Sequence, residues 1–120
     1  KSQPFTILMF GGLGAGKTFI TRELAKLMGI DPAEVISPTY NYYQTYENFP
    51  GKNLTHFDLY RLEKGESTKK GLLEDLSGNI IAEWSENLSP VEKSYFTGNV
   101  FFMEIKHGVG VGMRKVKISQ

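Results

Sequence analysis

The eight residues Gly11-Gly12-Leu13-Gly14-Ala15-Gly16-Lys17-Thr18 constrain this chain more than any other stretch, because they fit the pattern G-x-x-x-x-G-K-[ST] in a telling context. The apolar run over residues 5–10 reads as a strand leading in. Ile20, Leu24, Leu27 and Met28, spaced by three and four with Arg22, Glu23 and Lys26 off that stripe, predict a helix over 18–28 leading out, with Gly29 as its left-handed cap. Between a strand and a helix, such a loop turns successive backbone N–H groups around a phosphate, and the helix N-terminus adds its dipole. Lys17 supplies a mobile positive charge, and the Thr18 hydroxyl suits Mg²⁺. The expected nucleotide contacts are therefore Gly12, Leu13, Gly14, Ala15, Gly16, Lys17, Thr18 and the adjoining Phe19. The competing reading is a plain glycine-rich surface turn in a chain with 13 Gly.

At 120 residues the chain is expected to form one domain over 1–120, long enough for a core but short for a nucleotide-hydrolysing machine with lids. Few covering elements imply an open site, slow turnover alone and help from a partner that closes it. A net charge of +1 lacks the basic excess of a dedicated nucleic-acid binder. The absence of Cys excludes disulfides, zinc-thiolate sites and thiol catalysis. No run of 18 apolar residues and no signal peptide is visible, so the expectation is a cytoplasmic protein without membrane contact.

The remaining pattern predicts a helical turn begun by Asp31 with Pro32 in its first position, then a long strand pair at about 35–47 and 53–60. A short helix near 67–77, a strand at 79–84 and a closing hairpin of about 99–108 and 112–119 follow. Mixed order of this kind implies a three-layer α/β domain with a mixed β-sheet.

A phosphate loop alone leaves Mg²⁺ short of ligands, so carboxylates are expected at strand ends. Asp58 lies where His56, Asp58 and Tyr60 share one strand face, with Thr55, Phe57 and Leu59 on the other. Glu83 ends the apolar strand Ile80-Ile81-Ala82, directly before Trp84. Each suits a Mg²⁺ contact or the polarising of a water, with a surface or salt-bridged carboxylate as the alternative. Thr39, in Ser37-Pro38-Thr39-Tyr40, stands where switch-like loops place a Thr that senses a terminal phosphate; a simple strand start is the alternative. His56 reads first as a hydrogen-bonded structural residue. Trp84, the sole Trp, could lie under the nucleotide, face a partner or fill the core. Arg114, Lys115 and Lys117 alternate with Val116 and Ile118 as the solvated face of an edge strand, with a tRNA-contacting face as the other reading.

The loop at residues 11–18, Ser37-Pro38-Thr39-Tyr40, the run HFDLYRL at 56–62 and Ala82-Glu83-Trp84-Ser85-Glu86 together resemble the TsaE family, the bacterial ATPase component of tRNA threonylcarbamoyladenosine synthesis. The four motifs keep that family's order over residues 5–88. The resemblance implies a P-loop NTPase fold, ATP and Mg²⁺ as ligands, and hydrolysis within a complex with TsaB- and TsaD-type proteins, reaching tRNA only through them. It also implies functional roles for Lys17, Thr18, Thr39, Asp58 and the Glu83-Trp84 pair, with Glu83 the closer metal ligand. Two positions depart from the family pattern: Gly12 replaces an acidic residue and Phe19 replaces a second Thr. Residues 89–120 carry no matching motif. A small-molecule kinase and a nucleotide-gated binding module are the alternatives. The chain has no N-K-x-D guanine-reading motif, which favours adenine over guanine.

Overall fold

The computed structural model describes residues 4–11, 17–35, 42–48, 52–107 and 114–120. In chain order these form β1 (Phe5–Phe10), α1 (Lys17–Leu27), a 3-10 turn (Pro32–Glu34), β2 (Tyr43–Asn48), β3 (Lys52–Asp58) and α2 (Glu66–Lys69). There follow β4 (Asn79–Glu83), a 3-10 turn (Ser85–Asn87), α3 (Pro90–Lys93), β5 (Asn99–His107) and β6 (Arg114–Ser119). The strands form one mixed six-stranded sheet in the order β2-β3-β4-β1-β5-β6. β3, β4, β1 and β5 run parallel, while β2 and β6 pair antiparallel at the edges.

Alternation along the strands sends side chains to two apolar clusters. Ile7, Met9, Leu54, Ile81, Met103 and Ile105 face α1 together with Ala25, Ile30 and Val35. Leu8, Phe57, Ile80 and Ala82 face the other way, against Leu59, Leu62, Leu73, Leu88 and Phe96. Four consecutive buried positions in each of β1 and β4 mark strands covered on both faces, as parallel pairing requires.

The helix leaving the glycine-rich loop forms within a residue of its predicted bounds, but its buried stripe differs. Thr21 and Ala25 are fully buried, and Ile20, Leu24 and Met28 flank them, whereas Leu27 is 84% exposed. Leu27 lies two residues beyond Ala25, about 200° around the helix, so the helix cannot bury both. The small Thr21 and Ala25 occupy the line of contact with the sheet, and apolar spacing alone does not mark them out. Gly29 adopts φ 84° as the expected left-handed cap, and Asp31 Oδ1 accepts from the Ala33 N–H at 2.9 Å, opening the turn at Pro32–Glu34.

Three other boundaries are corrected. The strand expected over 35–47 begins only at Tyr43, because Tyr42 sits at φ 66°, a left-handed conformation incompatible with strand pairing. Val35 is outside any strand, and residues 36–41 lie outside the described residues. The helix expected over 67–77 is confined to α2, since Gly71 at φ 72° ends it. α3 was not expected at all, yet Ser89-Pro90-Val91-Glu92 forms a capping box with Pro in the first turn.

Glu92 is the polar anchor of this layer. Its carboxylate accepts from the N–H groups of Ser89 (2.9 Å), Gly65 (2.8 Å) and Thr68 (2.8 Å) and from the Thr68 hydroxyl (2.9 Å), tying α3 to α2. Burial alone would raise its pKa, but these donors outweigh burial and lower it from 4.5 to about 2. A lowered carboxylate pKa gives stability that is complete above pH 4.5 and is lost as pH falls toward 2. Glu92→Ala should therefore cost about 2–3 kcal/mol at neutral pH. In urea titrations between pH 2 and 6, Glu92→Gln should show a shallower acid loss than the parent chain; equal slopes would contradict the assignment.

Candidate functional site

Parallel pairing brings the carboxyl ends of β3, β4 and β1 to one edge of the sheet. Asp58 and Glu83 are register partners, the last residues of β3 and β4. β1 lies directly beside β4, and its end at Phe10 and Gly11 leads into residues 12–16 and then into α1, whose first residues are Lys17 and Thr18. Gly12, Leu13, Gly14, Ala15, Gly16 and Thr39 lie outside the described residues, as do the side chains of Lys17 and Thr18. The described portion thus holds both candidate carboxylates, the start of the helix and Trp84 at one edge. Phe19, on the first turn of α1, is 64% exposed.

Glu83 is not a surface carboxylate: it is 2% exposed. Its Oε2 stands 2.6 Å from His56 Nε2 and accepts from the Thr21 hydroxyl at 3.2 Å. His56 reaches it from β3 and Thr21 from α1, so three elements meet at one oxygen. Asp58 is half-buried, and its Oδ1 accepts from the Tyr60 N–H at 3.2 Å, which turns the chain sharply after β3. The Asp58 N–H donates to the Tyr42 carbonyl at 2.8 Å, and the Leu59 N–H donates to the Glu83 carbonyl at 3.2 Å. The two carboxylate-bearing strand ends are thereby locked together.

Trp84 follows at φ 61°, ψ 42°, a left-handed conformation that costs a non-glycine residue on the order of 1 kcal/mol or more. This reverses the chain immediately after Glu83. The indole packs at 4.8 Å from the Tyr60 ring, with an interplanar angle of 49°. Two residues on, Glu86 Oε2 accepts from the Gly11 N–H at 2.8 Å, pinning the first glycine of the loop. Sequence reasoning had not assigned roles to Glu86 or Thr21. Glu86 closes the run Ala82-Glu83-Trp84-Ser85-Glu86, and Thr21 stands one helical turn beyond Lys17, so position is the signal that marks both.

Asp58 and Glu83 offer carboxylate oxygens at this edge, the ligand type that a hard divalent cation takes. Among the described residues no three His, Cys, Asp or Glu side chains form a metal-holding cluster. A separate cleft of about 290 Å³, lined by Tyr43, Thr45, Thr55, Phe57 and Asp75 among others, lies on the opposite face of β3 and contains none of the candidate residues.

The profile described as "Threonylcarbamoyl adenosine biosynthesis protein TsaE" matches residues 1–110. The chain belongs to the TsaE family. It is 46% identical over 82 residues to the tRNA threonylcarbamoyladenosine biosynthesis protein TsaE of Rickettsia bellii, covering 67% of this chain and 56% of that protein. The namesake from Haemophilus influenzae is 40% identical over 83 residues, covering 67% and 51%, and that from Aquifex aeolicus 38% over 88 residues, covering 72% and 62%. The chain thus spans about half the length of such relatives. Among the described residues no helix is long and apolar enough to cross a membrane.

Trp84 is the only Trp, so its packing can be read optically. Tyr60→Ala should expose the indole and shift its emission to longer wavelength without unfolding the chain; an unchanged spectrum would contradict the contact with Tyr60.

Proposed function

We propose that this chain is a P-loop ATPase domain of the three-layer α/β type. It binds ATP and Mg²⁺ and serves tRNA threonylcarbamoyladenosine biosynthesis in complex with TsaB- and TsaD-type synthase proteins. The observation that carries the reading is the buried Glu83 carboxylate, register-paired with Asp58 and tied to α1, the helix that opens with Lys17 and Thr18. A carboxylate held out of water at a strand end beside a phosphate-loop helix is what phosphoryl transfer needs to fix a metal. The names of the relatives support the pathway.

In this reading the backbone N–H groups of residues 12–16 and the N-terminus of α1 hold the phosphates, and Lys17 balances their charge. Thr18 and Glu83 would hold Mg²⁺, with Asp58 nearby, and when bound the ion neutralises charge that builds on the phosphates. Asp58 orients the attacking water, and Thr39 senses the terminal phosphate. Trp84 borders the nucleotide. Among the described residues few elements cover this edge, which favours slow turnover until partner proteins close it.

Calorimetry should show ATP and ADP binding that Mg²⁺ strengthens, with a matching change in Trp84 fluorescence. Phosphate release should rise when the partner proteins are added, and Lys17→Ala should lower it by about 100-fold or more. A Lys17→Ala chain as active as the parent would defeat the assignment. ATP-dependent partner capture that persists in Glu83→Gln and Asp58→Asn, with no hydrolysis in the parent, would replace it by a nucleotide-gated binding module. Phosphate appearing on an added metabolite would replace it by a kinase.

A further inference from the structure

His56 lies within β3 on the face that carries Leu54 and looks toward α1, with no exposed surface. A carboxylate only accepts, so in the 2.6 Å contact Nε2 carries the hydrogen and donates to Glu83 Oε2. The other ring nitrogen, Nδ1, is buried and has no hydrogen-bond partner among the described residues. Leaving a polar ring atom unsatisfied is unfavourable, a cost that an apolar residue at this position would not incur. The imidazole is therefore poor core filling. What it does supply is one short, charge-assisted bond to a buried carboxylate.

The second donor is as specific. Thr21 stands one helical turn beyond Lys17 on α1, and its hydroxyl reaches the same Oε2. Two donors from different elements on a single oxygen fix both the rotation of the carboxyl group and which oxygen faces the interior. Neither His56 nor Thr21 is a strand-end residue, and neither has exposed surface through which to meet a nucleotide.

We propose that His56, with Thr21, is a positioning residue that sets the orientation of the Glu83 carboxylate for a divalent metal–nucleotide complex. This rests on the nucleotide reading of Glu83 given above. The bond acts by holding Oε2 inward, so that the carboxylate meets its ligand in one orientation rather than several. Loss of such an outer contact typically lowers metal affinity or activity by about 10–100-fold.

Three variants of the whole chain separate positioning from packing. His56→Leu keeps bulk and removes the donor, His56→Gln keeps an amide nitrogen near the place of Nε2, and Thr21→Val removes the second donor at constant shape. The first readout needs no nucleotide. With only two His in the chain, NMR of ¹⁵N-labelled protein should show a downfield, slowly exchanging His56 Nε2–H resonance that is lost in Glu83→Ala. The second is ADP binding by calorimetry with and without Mg²⁺. His56→Leu should bind ADP without Mg²⁺ as the parent does, yet lose about 10-fold of the Mg²⁺-dependent gain, with His56→Gln recovering most of it. In turnover at saturating Mg²⁺, kcat/KM for ATP should fall about 10–100-fold in His56→Leu and recover in part in His56→Gln.

If His56→Leu fails to fold, Thr21→Val and the graded response of His56→Gln carry the comparison. Absence of the resonance, or His56→Leu and Thr21→Val that match the parent in Mg²⁺ dependence and kcat/KM, overturns the positioning role and leaves the nucleotide reading standing. A parent chain that binds no nucleotide overturns both.

Discussion

β1 is hydrogen-bonded on both sides by strands that run the same way, and the arrangement of the site follows from that constraint. Parallel neighbours cannot be joined by tight turns, so each connection crosses from one end of the sheet to the other. The carboxyl ends of β1, β3 and β4 consequently collect along one edge, and whatever the chain places just after those strands becomes neighbouring surface. Asp58 and Glu83 are 25 residues apart in the chain and adjacent in the sheet. Antiparallel pairing at β2 and β6 closes the layer without disturbing this edge.

Placing a carboxylate at the buried end of β4 sets an energetic problem that the surrounding residues answer. An isolated buried charge is costly, and donors from two other elements offset that cost for Glu83. Glu92 meets the same problem on the opposite side of the sheet with three backbone N–H groups and a hydroxyl. The difference is instructive. Glu92 is met mainly by backbone N–H groups at the starts of α2 and α3 and serves to join those two short helices, whereas Glu83 is met by side chains from β3 and α1, the elements that frame the edge where the strands end.

Much of this was legible in the residues. Continuous apolar runs placed β1 and β4, period-two alternation assigned the faces of β3, and the loop pattern marked where a helix starts. The strand-end position of Glu83 followed from the apolar run before it, whereas the strand expected over 53–60 stops at Asp58, where the Tyr60 N–H turns back onto Asp58 Oδ1. The burial of Glu83 did not follow, because no local pattern shows that a residue from β3 and another from α1 will converge on it. Leu27 misled for a related reason: apolar spacing marks several possible stripes, and only the close approach of Thr21 and Ala25 to the sheet selects one. α2 proved shorter than its apolar content implied, since Gly71 takes a left-handed conformation that overrides propensity. The capping box of α3 was written plainly in Ser89 to Glu92, but lies in a stretch where no family motif drew attention to it.

The left-handed residue at Trp84 makes residues 83–86 a single mechanical joint. Within four residues the chain grips the sheet interior through Glu83, the end of β3 through the Trp84 and Tyr60 rings, and the mouth of the glycine-rich loop through Glu86 and Gly11. The tight reversal at Trp84 lets one four-residue span reach three parts of the fold that an extended segment of that length would pass by.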